Sequence, residues 1–437
     1  MLERLFKLTE KGTNVKTEVL AGFTTFITLA YIIIVNPLIL SESGIPKEAA
    51  IAATILATVF ATLLMGLWAN FPIAVAPGMG LNAFFTYTVV KGMGLSWQTA
   101  LGAVFFSGIF FILITVTGLR RKIVDGVPNT LRSAIGVGIG LFIAFIGFKN
   151  AGIVVANPAT YVSLGSVKSP QVIVALIGLI IAGVLMARKV KGALLISIAV
   201  STVLGMIFVP DAPVPKGIGD LISFNLPSVA PTFLKLDIMG AWKYGIFSII
   251  FSFTIVELFD NIGTLIGVTK KAGLVDQDGN IPNLDRALTA DAVGTVASSM
   301  LGTCTVTSYI ESGAGVAEGG KTGLTAITVA GLFLLSLFLT PLVGLIQGFA
   351  TAPALILVGV LMMAEVLHIN FNDITDAIPA FLTIIMMPLS FSIAQGLAAG
   401  FVSYVFIKSL TGRHKEISPI MYVVAVAFII NFVVGKH

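Results

Sequence analysis

A chain of 437 residues that is 57% hydrophobic and 11% charged, with a mean hydropathy of +1.02, is not a soluble globular domain, in which about a quarter of residues carry charge. Its net charge of +5 does not point to nucleic acid, because the basic residues lie in short loops, where membrane orientation requires them. One cysteine, Cys304, excludes an intramolecular disulfide and a cysteine metal cluster, and His368, His414 and His437 are too scattered for a metal site. No cofactor is expected.

The leader, residues 1–18, is MLERLFKLTEKGTNVKTE, charged and amphipathic with no apolar core, so no cleavable signal peptide is expected and the first span inserts the chain. Ala49–Val90, Thr322–Ala364 and Ala377–Ile407 contain no Asp, Glu, Lys or Arg. Each exceeds the roughly 20 residues of one crossing and must hold more than one. Hydropathy predicts spans near 19–40, 49–68, 71–90, 97–118, 128–148, 171–187, 192–209, 242–268, 287–303, 304–318, 322–346, 350–367, 376–389 and 390–408, about fourteen in all. With the N-terminus placed inside, eighteen Lys and Arg fall in inner loops against seven outside. The expectation is a multi-pass protein of the cell membrane with a cytoplasmic N-terminus. The uncharged stretch 418–435 spans or lies against the bilayer, and the side of the C-terminus stays open.

An inverted repeat is suggested by Thr58-Val59 recurring as Thr295-Val296, Gly66 as Gly302, and Ala76-Pro-Gly-Met-Gly80 as Glu311-Ser-Gly-Ala-Gly315. In both copies a β-prone stretch (FPIAVA, TVTSYI) runs into a Gly-x-Gly turn and a short helix-compatible segment. With 45 glycines in the chain, glycine as a helix-packing spacer is the competing reading.

The polar chemistry concentrates between 254 and 315. In TIVELFDNIGTLIG, Glu257, Asp260 and Asn261 are three and four apart and share a helix face. Carboxylates at membrane depth need partners and are working residues by default; packing near a membrane end is the bland alternative. Glu311 stands beside a small glycine-punctuated turn in YIESGAGVAEGGKTGLTA. Asp291, just past Arg286, reads equally as structural, and Asn82 equally as a cap of a short helix or as a ligand contact.

The motifs AGFTTFITLAYIIIVNP (21–37), APGMGLNAFFTYTVV (76–90), ELFDNIGTLIG (257–267), LGTCTVTSYIESGAGVAEGGKTGLTA (301–326) and ATAPALILVGVLM (350–362) resemble the AzgA-like purine permeases, the hypoxanthine/guanine/adenine branch of the nucleobase:cation symporter-2 transporters. The resemblance runs from the leader to about residue 411. It implies an all-α polytopic fold similar to the uracil permease: two inverted seven-span repeats with short β-strands in spans 3 and 10, at about 73–77 and 304–309. The core domain would comprise 19–118 and 242–346, and the gate domain 119–209 and 347–411. An extracellular connection would occupy 210–241, and 412–437 would form a hydrophobic tail.

By the same resemblance, Glu257 matches the substrate-binding acid of span 8, Asp260 its second acid tied to coupling, Glu311 the binding acid after the span-10 strand, and Asn82 the functional asparagine of span 3. Tyr309, Ala30, Gly78, Ser312 and Gly313 complete the implied substrate site, and Glu257, Asp260 and Glu311 the implied proton-coupling set. Many relatives carry Asp-x-Phe-Asp-Thr where this chain has Glu257-Leu-Phe-Asp-Asn261, and Ser where it has Cys304. The extra methylene of Glu257 moves its carboxylate, so the resemblance does not fix which purine fits.

A physical reading stands beside the resemblance. A purine edge presents N–H groups that a carboxylate accepts, and a site built on buried acids rejects analogues that leave them unpaired. A buried acid with a like charge nearby takes up a proton readily, which gives proton symport; Na⁺ is the other candidate coupling ion. Backbone N–H groups at Gly78, Gly80, Gly313 and Gly315 are expected as further donors, and Tyr309, Phe26 or Phe259 as a stacking face. An anion or sulfate carrier on the same fold should show positive charge or a bare helix N-terminus at the site, which the two acids oppose. An enzyme is not expected, because no nucleophile–base pair or cofactor loop accompanies the acids. The expected partners are a purine nucleobase, a proton or Na⁺, the lipid bilayer and a second copy in a homodimer.

Overall fold

The computed structural model describes residues 2–119, 123, 126–210, 212–245, 249–275 and 281–434; the side chains at 244, 245, 259, 260, 262, 263, 266 and 431–434 lie outside that description. Asn14 starts helix α1 (Val15–Leu29) by accepting the Thr17 amide at 3.0 Å. The helix ends at Ala30 and resumes after Tyr31 as α2 (Ile32–Ser41), so the first span is interrupted. Next come α3 (Lys47–Leu64), strand β1 (Val75–Pro77), the short α4 (Met79–Ala83) and α5 (Trp97–Val116). They are followed by α6 (Asn129–Asn150), an exposed hairpin β2 (Val154–Asn157) and β3 (Tyr161–Leu164), α7 (Pro170–Ala187) and α8 (Ala193–Phe208). The second half holds α9 (Phe251–Lys271), α10 (Leu284–Leu301), β4 (Val306–Ser308), α11 (Ser312–Ala317), α12 (Gly323–Leu335), α13 (Gly348–Met362), α14 (Ile374–Leu389), α15 (Ile393–Leu410) and α16 (Pro419–Val434).

The order helix, strand, short helix, long helix thus occurs twice, as α3–β1–α4–α5 and as α10–β4–α11–α12. Pro72 and Pro77 bar a helix in the first copy, and Thr- and Val-rich sequence favours extended backbone in the second. The two strands pair antiparallel, with Val75 opposite Ser308, Ala76 opposite Thr307 and Pro77 opposite Val306. A two-fold operation exchanging them maps Ala76 onto Thr307, so the sequence match of Ala76 with Glu311 is out of register: glycine spacing drew it toward the turn and away from the strand. Pairing satisfies backbone that lipid would leave bare. Tyr309 N–H donates to Ala74 C=O and Gly78 N–H to Thr305 C=O, both at 3.0 Å, extending the joint beyond the strands.

Eight helices among the described residues are long and apolar enough to cross a membrane, and three further apolar helices are shorter. The count of fourteen is not reached on length and composition. The segments near 71–90 and 304–318 are divided by their strands, and Leu284–Leu301 carries Asp285, Arg286 and Asp291.

In packing, α1 lies on α11 and α12, α3 on α2, α10 and α12, and α10 on α5; separately, α13 lies on α6, α7 and α8, and α14 on α6 and α15. Just past the end of α3, in Met65–Ala69, Gly66 meets Gly323 at the start of α12, where a Cβ on Gly323 would stand 1.9 Å from the Gly66 carbonyl oxygen. Beside it, the buried Glu18 carboxylate accepts the amides of Lys321, Thr322 and Thr325 and the Thr325 hydroxyl, at 2.6–3.3 Å. It thereby caps α12, where negative charge is favoured.

At the end of the bundle that holds Glu42, the π-helical continuation of α4, Phe84–Gly92, comes to the C-terminal end of α6. Glu42 accepts from Tyr87 Oη at 2.7 Å and from Lys91 Nζ at 2.5 Å, and Lys149 Nζ of α6 lies 3.9 Å from the same carboxylate. That ammonium sits 4.5 Å above the Tyr87 ring, and Phe391 stands edge-on to Tyr87 at 5.3 Å.

Candidate functional site

The strand pair is the frame on which the acids are arranged. Glu311 follows β4 at the start of α11, and its Oε1 accepts from Tyr31 Oη at 2.7 Å. Among the described residues no ion pair holds Glu311, so a phenol at the interruption of the first span, and not a cation, meets its carboxylate. Ser312 is fully buried, and its Oγ accepts the Ala74 amide at 3.0 Å, tying the start of α11 to the approach to β1. Tyr309 Oη donates to the Pro77 carbonyl at 2.5 Å, crossing from one strand to the other.

Across the joint, α9 carries the fully buried Glu257, whose Oε1 accepts from Thr295 Oγ1 of α10 at 2.7 Å. One turn on, Asn261 Nδ2 donates to Asp291 Oδ2, and Asn261 Oδ1 accepts the Ser308 amide of β4 at 3.4 Å. The acids therefore share a design: each has one oxygen engaged by a hydroxyl from a different helix. Such engagement is what keeps a buried carboxylate tolerable.

Asn82 is fully buried in α4, and neither atom of its amide has a hydrogen-bond partner among the described residues. Its cap role does not hold: Gly78 is the N-cap, without a side-chain cap bond, and Asn82 lies inside the helix with its N–H on the Gly78 carbonyl. Two of the expected backbone donors are also committed elsewhere, Gly78 N–H to Thr305 C=O at 3.0 Å and Gly313 N–H to Ile310 C=O at 2.9 Å. Gly80 and Gly315 serve packing, since a Cβ there would stand 2.8 Å from Ile139 Cγ2 and 2.1 Å from Thr25 Oγ1. Ala30, buried, is the C-cap at the break between α1 and α2. Phe26 stands edge-on to Phe333 at 5.3 Å. The side chains of Asp260 and Phe259 lie outside the described residues; the backbone of both is in α9.

Sequence reasoning missed Tyr31 and Thr295. Tyr31 is the only phenol between residues 19 and 40, a mainly apolar stretch without a charged residue. Thr295 was read as part of a repeat and not as the hydroxyl one element away from Glu257.

A model of the Permease family matches residues 16–399. This chain belongs to that family. The adenine permease AdeP of Escherichia coli strain K12 is 46% identical over 437 residues, covering 99% of this chain and 96% of AdeP. The guanine/hypoxanthine permease PbuO of Bacillus subtilis strain 168 is 44% identical over 435 residues, 98% and 99% of the two chains. Among solved structures, the transmembrane domain of the cyanobacterial bicarbonate transporter BicA superposes with a TM-score of 0.62 at 15% identity, over 89% of this chain and 97% of that one. This permease thus has the fold of that transporter's membrane domain, and the resemblance to purine permeases read from its motifs holds over nearly its whole length.

Proposed function

We propose that this permease imports a purine nucleobase, adenine, guanine or hypoxanthine, into the cell by proton symport. The observation that carries the reading is the pair of carboxylates, Glu257 and Glu311, on packed elements beside the strand joint, each with one oxygen already held by a hydroxyl. Acceptors placed in this way suit the N–H groups of a neutral purine edge and repel anions. Permeases of adenine and of guanine/hypoxanthine, similar over nearly full length, support the same substrate class. Asn82 lends a further amide. The helices around the strand joint act as the core that carries substrate, and α6, α7, α8, α13, α14 and α15 as the gate past which it moves. The N-terminus is cytoplasmic, Asp260 handles the coupled proton, and the protein works as a homodimer.

Uptake of labelled hypoxanthine, adenine and uracil in a host lacking purine transport tests this. Purine uptake above background that collapses with a protonophore at fixed Na⁺ is expected. Glu257→Gln and Glu311→Gln should each abolish it while the protein stays folded, because Gln sets a donor against a donor. Near-normal uptake by both variants would overturn the site. Uptake of bicarbonate or sulfate in its place would favour an anion carrier.

A further inference from the structure

We propose that Tyr31 is a positioning residue for the purine, fixing one oxygen of Glu311 so that the other is presented to the base. The inference rests on the purine reading above and adds a residue which that reading does not use. A glutamate side chain has three rotatable bonds, and holding it in one rotamer costs entropy that an empty site does not return. Tyr31 supplies the fixed point. Tyr31 is 1% exposed, one of the largest fully buried side chains among the described residues, and its backbone lies where α1 gives way to α2. Carbonyl Tyr31 accepts the amides of Ile34 and Val35 at 3.1 and 3.0 Å, so the residue is anchored at both ends. From there the hydroxyl reaches Glu311 Oε1 at 2.7 Å, within the range of a bond to a charged acceptor.

With Oε1 engaged and no ion pair among the described residues competing for the acid, the carboxylate plane is set before substrate arrives.

The test uses the full-length purified protein. Tyr31→Phe keeps the ring and removes the hydroxyl. Hypoxanthine binding by calorimetry should weaken at least about tenfold, as expected for losing a bond to a charged group. In proteoliposomes KM should rise in step while Vmax stays within about threefold, and the ligand-free melting temperature should shift by less than about 3 °C. Binding within about twofold of wild type overturns the proposal. So does joint loss of KM, Vmax and ligand-free stability, the mark of a residue that only packs. If Tyr31→Phe does not fold, infrared spectroscopy of the ligand-free wild type decides. The carboxylate doublet isolated by subtracting the Glu311→Gln spectrum should show the wide splitting of an acid bonded at one oxygen, and the splitting of an acid free at both overturns the idea. A wild type that binds hypoxanthine, adenine and guanine not at all removes the purine reading and this proposal together, whereas a binding wild type with an indifferent Tyr31→Phe removes this proposal alone.

Discussion

Asn82 costs the fold stability. A fully buried amide with no partner among the described residues forfeits its bonds to water and gains none, a penalty of about 1–3 kcal/mol. Leu has nearly the same shape without that loss. Asn82→Leu should therefore raise the melting temperature of the detergent-solubilised protein, or leave it unchanged, while uptake falls to background. A melting temperature lowered together with uptake would show that the amide is structural. The residue types at the site were legible in the sequence, because acids and amides stand out against 57% hydrophobic surroundings. Their bonding was not. Whether Glu311 meets a cation, a backbone amide or a phenol depends on which helix lies opposite, and Tyr31 is distant from it in the chain.

Among the elements, α12 depends most visibly on one distant side chain. Its first amides end on the Glu18 carboxylate, which arrives from α1 and is fully buried. Glu18→Gln turns an all-acceptor group into one that also donates, toward amides that themselves donate. A loss of about 2–4 kcal/mol is expected, read as a lower melting temperature and less folded protein in the membrane. Melting within 1–2 °C of wild type would mean that Gln turns its oxygen inward and that the charge is dispensable. The strands were legible because Pro72 and Pro77 exclude a helix and the Thr/Val run of the second copy favours extension. The internal register was not, since glycines recur for packing as well as for turns, and only backbone pairing fixes Ala76 opposite Thr307.

Across the molecule, the cluster of Glu42, Tyr87, Lys91, Lys149 and Phe391 joins the two groups of helices at one end. On the proposed topology that end faces outward, and we propose that the cluster holds the outer mouth shut. Burial works against the Glu42 charge, yet the hydrogen bonds from Lys91 and Tyr87 and the Lys149 ammonium outweigh it and hold the carboxyl below the usual carboxylate range. A group with a depressed pKa contributes above its ordinary range and loses that contribution only as pH falls through the depressed value. Closure should therefore persist in mildly acidic medium, where a proton importer works. Lys149→Met removes the shared cation. In a Cys304→Ser, Ser392→Cys background it should raise labelling by an impermeant maleimide from outside several-fold, about what a loss of 1 kcal/mol of closure allows. Unchanged labelling would show that the aromatic contacts close the mouth unaided.

The strand joint also bears on how the chain is made. Val75 is bonded at both its N–H and its C=O by Thr62 Oγ1 of the first half, but Ala76 pairs with Thr307, Ala74 C=O with Tyr309 N–H and Gly78 N–H with Thr305 C=O, so the first half enters the bilayer with part of its strand backbone unpaired until the ribosome has passed residue 309. Such a segment is costly in hydrocarbon. The first strand is therefore completed only when the second half arrives. Two separately expressed halves, divided in the 210–241 connection, should each be degraded alone and rescue each other when made together. Nascent chains stalled before residue 306 should remain open to proteases at Phe71–Gly78, and those stalled well beyond it should not.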